Sequence, residues 1–214
     1  MKRRRDKRFK GVLKRMVIVC ALLGAAHVVL SNGKVADRDL STPTIVYAQS
    51  LDENSASASA FLEAFTVFSH PRCVNCHPAA DAPLIGDASR PHPMRIRRGP
   101  GGMGENGIFC STCHQSTNLS GAHMPPGAPG WQLPTKDEPM VFEKRTPRDL
   151  CLQLKDPAQN GGRTPKEILE HVRDAPIVLW GWNPGEGRIP VPVPHDVFIK
   201  YMSEWVDKGA ACPK

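Results

Sequence analysis

Apolar residues recur at helical spacing in four stretches, and the chain between them is nearly aperiodic. In "SAFLEAFTVFSHPRC" the run places Phe61, Leu62, Phe65 and Phe68 on one face, and Pro71 closes the helix. "TPRD" from Thr146 and "TPKE" from Thr164 each combine a threonine N-cap, a proline at the first helical position and an acid at the third. Two short helices are predicted there, Pro147 to about Asp156 and Pro165 to about Arg173. A last helix from Asp196 sets Val197, Phe198, Tyr201, Met202, Trp205 and Val206 on one face and stops at Gly209. Ala79 to Gly107 reads as loop, "MPPGAPGWQLP" from Met124 as a stiff extended segment, and "WGWNPGEGRIPVPVPH" as an aromatic, proline-rich strap. The fold class expected is mainly α with extensive irregular Pro/Gly-rich loops, in a single compact domain.

The net charge of +7 changes this picture little. Nine basic residues between Lys2 and Arg15, opposed only by Asp6, carry more than all of it, so the rest of the chain is about −1. A nucleic-acid partner finds no support in that distribution. The basic start, the apolar run "MVIVCALLGAAHVVL" from Met16 to Leu30 and the polar text from Ser31 follow the order of an export signal. Fifteen helical residues reach roughly 22 Å against a hydrocarbon core of roughly 30 Å, which suits a signal better than a span.

Residues 1–48 are read as a signal peptide or N-terminal anchor plus a polar segment, 49–60 as a linker ("LDENSASASA"), and 61–214 as the folded domain. "VYAQ" from Val46 offers a cleavage point far beyond the apolar run, and an uncleaved anchor is the alternative. The expected location is the periplasm, or the periplasmic face of the inner membrane if the anchor stays. The membrane is then touched only through that segment.

Seven cysteines must be accounted for outside the reducing cytoplasm. Cys20 lies in the apolar run, four lie in "CVNCH" and "CSTCH", and Cys151 and Cys212 remain, which predicts one disulfide. In C-x-x-C-H both thiols and the imidazole face one way on a helical turn. Two thiols so placed can add across the vinyl groups of a porphyrin as thioethers, while the histidine donates nitrogen to its iron. Two covalently attached haem c groups are therefore expected, at Cys73/Cys76 and Cys110/Cys113, with His77 and His114 as proximal iron ligands. Zinc is the nearest competitor, but each pair carries its own adjacent histidine and the pairs stand over 30 residues apart, against 15 to 20 in paired zinc knuckles.

The sixth ligand to each iron comes from elsewhere in the chain, and histidine or methionine is the choice. His92, Met94, Met124 and His171 are the distal candidates, with His123 beside Met124 and with His70, His195, Met103 and Met140 weaker. Arg95, Arg97 and Arg98 are candidates to pair with haem propionates. "RRGPGGMG" is not a phosphate loop, because no strand precedes it and no Lys-Ser/Thr follows. Trp180 and Trp182 are read as packing residues.

With "HPRCVNCHP", "CSTCHQ", "LCLQLKDPAQNGGRT", "WGWNPGEGR" and "WVDKGAACP" in view, the chain resembles a family of small exported di-haem cytochromes c. Members of that family are often named as subunits of isoquinoline 1-oxidoreductase-like molybdenum hydroxylases. The resemblance spans roughly Phe61 to Pro213. It implies a redox subunit, not itself an enzyme, that passes electrons from a dehydrogenase, a molybdenum hydroxylase among the candidates, to a downstream acceptor. No molybdopterin-binding signature is present, so no oxidoreductase active site is carried over. Two other functions stay open: a di-haem peroxidase-like enzyme with one open iron position, and a haem-based sensor module.

Overall fold

The computed structural model describes residues 42–105 and 107–214, with side chains from residue 52 onward. The basic and apolar N-terminal segment and Cys20 lie outside the described residues.

The frame is a layer of helices closed by an antiparallel-looking pair at the two ends of the described chain. Helix α1, Thr42–Phe68, packs along α6, His195–Asp207. The buried stripe of α1 runs Ala60, Phe61, Ala64, Val67 and Phe68, a 3.6-residue period. Phe61 meets Trp205 of α6 with ring centroids 5.1 Å apart, and Phe68 meets Phe198 at 5.4 Å. Leu62, expected on this face, is 45% exposed, because the stripe is completed by alanines instead.

Residues 49–60 are not a linker: α1 begins at Thr42 and runs through them unbroken. Of the serines that make this stretch look like a tail, Ser57 is a small residue on the face that meets α6, whereas Ser55 and Ser59 face solvent. Ser57 is fully buried; its hydroxyl donates to the Trp205 carbonyl at 2.8 Å and accepts from the Ala211 amide at 2.9 Å. A buried polar group of this kind is tolerated only when so partnered.

Helices α3, Pro147–Lys155, and α4, Pro165–Asp174, start where their caps predict. Thr146 Oγ1 accepts from the Asp149 amide at 3.1 Å, and Thr164 with Glu167 forms a reciprocal capping box. Leu150 and Leu154 of α3 and Ile168, Leu169 and Val172 of α4 join the core. A disulfide ties Cys151 to Cys212 with Cα atoms 5.6 Å apart, so α3 is stapled to the C-terminus as expected.

Two further short helices frame the remaining loops. Helix α2, Pro71–Val74, carries the first cysteine motif. Helix α5, Pro176–Leu179, absent from the sequence expectation, runs into a 3₁₀ turn at Trp180–Trp182. Strand content is two minimal hairpins, β1 Leu84–Ile85 with β2 Arg90–Pro91, and β3 Gly104–Glu105 with β4 Ile108–Phe109.

The loops are fastened by backbone. Gly102, at φ +76°, lets the Leu133 carbonyl come so near that a Cβ would stand 2.0 Å from it, and its own carbonyl accepts from the Leu133 amide at 2.8 Å. The described residues belong to one compact unit. Among the described residues no helix is long and apolar enough to cross a membrane.

Candidate functional site

The first motif is wound by α2. Pro71 occupies the first helical position, His70 caps the turn by accepting from the Arg72 amide at 3.3 Å, and the Cys76 and His77 amides both bond back to the Cys73 carbonyl. Cys73, Cys76 and His77 thus line one cleft. The His77 ring donates from Nδ1 to the Met140 carbonyl at 2.7 Å and lies flat on Phe142, centroids 3.8 Å apart and planes 7° apart. That bond puts the ring proton on Nδ1 and leaves Nε2 with its lone pair. Burial holds the imidazole neutral, pushing its pKa down to about 4.

Burial likewise pushes Cys73 up to about 12 and Cys76 up to about 11, so both are protonated thiols. The Cys110 thiol adds to the upward push on Cys76, which brings the two motifs within electrostatic reach of each other.

The second motif repeats the arrangement on a looser support. Cys110–Thr112 forms a 3₁₀ turn, and the His114 amide bonds back to the Cys110 carbonyl at 2.9 Å. His114 donates from Nδ1 to the Pro126 carbonyl at 2.7 Å and stacks on Trp131, 4.6 Å and 9°. Trp131 in turn meets Trp180 edge-on at 5.0 Å. Burial lowers the His114 pKa here too. The surroundings are open: Cys113 is exposed, and Ile108 and Phe109 ahead of the motif are 51% and 53% exposed.

The cleft at the first motif has a volume of ≈ 210 Å³ within ≈ 1110 Å³ counted to its open mouth. Its walls are mostly apolar, from Val67 and Phe68 of α1, Phe142, Ile168 and Val172 of α4, and Trp182. The charged side chains in the lining are Arg72 and Arg163, and no carboxylate is among them. Arg72 is buried, pairs with Asp87 at 2.5 Å and leaves Nε without a partner. An apolar slot with an imidazole, two thiols and the Arg163 guanidinium, Arg72 being paired with Asp87, fits a flat, mainly apolar group that carries carboxylates, which is the chemistry of haem. Phe68 of the α1 face backs this slot, whereas Phe61 packs into the core. His114 does not line it, and the extended segment from Met124 contributes residues 130 and 132–134.

Of the distal candidates, His171 lines the cleft together with His77. It is also open to solvent, and burial against the cleft lowers its pKa. Met140 also lines the cleft. His92 is half-buried, accepts at Nδ1 from the Met94 amide at 3.3 Å, and lies near enough to His114 to depress it. Met94 and Met124 are 65% and 43% exposed. His195 Nε2 is bonded to the Val172 carbonyl at 3.0 Å, and the His123 ring packs over Gly187.

Arg98 is not placed to hold a propionate. Its guanidinium is committed to the carbonyls of Pro134, Thr135, Pro139 and Ala80 and to Asp81, clasping residues 134–139 to the loop after the first motif. Arg95 and Arg97 are exposed, and Arg72 and Arg163 stand in the cleft instead. Trp182 donates to the Val193 carbonyl at 2.7 Å and Trp180 to Asn118 Oδ1 at 2.9 Å, so both are packed and satisfied.

The histidine-orienting carbonyls of Met140 and Pro126 carry no sequence signal, since any residue supplies one. Among the described residues no group of three or more His, Cys, Asp or Glu gathers as a metal-ligating cluster. No protein family, curated protein or solved structure matches the chain.

Proposed function

We propose that this chain is an exported c-type di-haem electron carrier, taking electrons from a dehydrogenase, of which a molybdenum hydroxylase is the class the resemblance implies, and passing them to a downstream acceptor. The observation that carries the reading is the duplicated histidine setting. Two C-x-x-C-H segments 37 residues apart each turn Nδ1 to a backbone carbonyl at 2.7 Å and stack the ring on an aromatic. One such setting is an ordinary buried histidine; two, each directly behind a cysteine pair, form a ligand design.

Haem bound at each centre would supply an iron that changes by one electron. The protein's own part is positional. Cys73 with Cys76, and Cys110 with Cys113, are the thioether residues, and His77 and His114 present neutral Nε2 atoms. Phe142 and Trp131 fix the ring planes. Arg163 offers positive charge to a carboxylate of the first group, and the apolar walls of its cleft exclude water.

The test is a mass measurement of protein made in a periplasm with the haem-attachment machinery. Two haem additions are expected; one addition, or zinc in stoichiometric amount, defeats the reading. A peroxidase-like enzyme would instead turn over peroxide at an iron that binds carbon monoxide.

A further inference from the structure

We infer that His171, on α4, supplies the second axial nitrogen at the first centre, opposite His77, so that two imidazoles from different helices close this site. The inference rests on the haem reading of the first motif and goes beyond it by naming the residue at the remaining coordination position.

Apart from the two motif cysteines, the iron-ligating residue types in the cleft lining are His77, His171 and Met140. Met140 gives its carbonyl to His77 Nδ1. Its backbone is therefore fixed at the Nδ1 edge of the proximal ring, away from Nε2. His171 belongs to a separate wall. Its neighbours Ile168 and Val172 line the same cleft, which puts all three on one face of α4.

Other histidines are spoken for. His70 and His92 accept from backbone amides, and His195 is bonded to the Val172 carbonyl. Among the described residues the His171 ring makes no hydrogen bond, so both its nitrogens are available. The element that carries it is rigid: α4 has a complete capping box and buries Ile168, Leu169 and Val172. A ligand on such a helix is held in place before the group arrives. Two imidazoles leave the iron closed to added ligands and at lower potential than an imidazole with a methionine.

The experiment uses full-chain holoprotein, wild type and His171→Gly. Each is reduced and titrated with carbon monoxide while mass spectrometry counts haem additions. The variant is expected to keep two haems and to bind one more carbon monoxide per chain than the wild type, and imidazole should refill the position. Two haems with no extra carbon monoxide overturn the inference and leave the di-haem reading standing; fewer than two in the wild type overturn that reading itself. An extra site that imidazole does not refill, or one that also opens in the control His195→Asn, counts against ligation by His171. If the glycine variant loses haem, His171→Met keeps a donor atom: no extra carbon monoxide and a raised potential at one centre are expected, and unchanged potentials overturn the inference.

Discussion

The two C-x-x-C-H segments share a local design and differ in what surrounds it. Each turns its histidine Nδ1 to a carbonyl at 2.7 Å and lays the ring on an aromatic plane. At the first centre the carbonyl is Met140, 63 residues away, and the walls come from helices with a shared core. At the second the carbonyl is Pro126, 12 residues on, and the motif is bordered by half-exposed Ile108 and Phe109. The motif thus dictates the turn and the histidine, whereas long-range packing decides access to solvent. In the proposed carrier this makes the second centre the edge for partner exchange and the first the enclosed store. Trp131, Trp180 and Arg72 link them, with the Arg72 guanidinium 5.6 Å over the Trp180 ring.

If enclosure separates the centres, loosening the helical frame should cost most. Replacing Cys151 and Cys212 with alanine removes a cross-link spanning 61 residues. About 4 kcal/mol of stability should be lost in the chain-entropy account. Urea unfolding followed by tryptophan fluorescence measures it, and a loss under about 1 kcal/mol would mean that packing alone holds α3 in place.

Next in size is the paired test of the two stacking rings. Phe142 is 6% exposed and packs on Phe68 as well as His77, so Phe142→Ala should cost about 3 kcal/mol. Trp131 is only half-buried, and Trp131→Ala should cost about 1–2 kcal/mol despite removing the larger ring. The order of the two losses is the sharper result. Equal losses would break the distinction between an enclosed and an open centre.

The same contrast explains what could be read from the sequence. Thr146, Pro147, Thr164 and Pro165 announce helix starts through chemistry confined to one turn, and the leftover pair Cys151 and Cys212 follows from what the motifs consume. The two C-x-x-C-H motifs are similarly local. What stayed hidden depends on distant partners. The buried role of Ser57 needs Trp205 and Ala211, and Arg98 is taken by carbonyls from 18 to 41 residues away. His171 could be named as a candidate from its helix, but its presence in the His77 cleft arises only once α4 packs on α6.

The smallest effect expected concerns how firmly α4 presents its cleft face, a device the second centre lacks. Thr164 Oγ1 accepts from the Glu167 amide at 3.3 Å, and the Glu167 carboxylate accepts from the Thr164 amide at 2.7 Å. Thr164→Ala should cost about 1 kcal/mol. The bond from the Thr164 amide, then that from its hydroxyl, holds the Glu167 carboxyl below its ordinary value of 4.5. A carboxyl whose pKa is depressed by folding stabilises the fold at pH above its unfolded value and loses that contribution as pH falls through the folded one. Wild-type stability should therefore slope downward below about pH 4.5, and Glu167→Gln should flatten part of that slope by lowering stability at pH 7 while changing little at pH 3. Denaturation midpoints measured between pH 3 and pH 7 read this directly. A Gln variant with the same slope as wild type would show that the capping carboxylate contributes nothing to the fold, and that α4 is held in the first centre by its buried face alone.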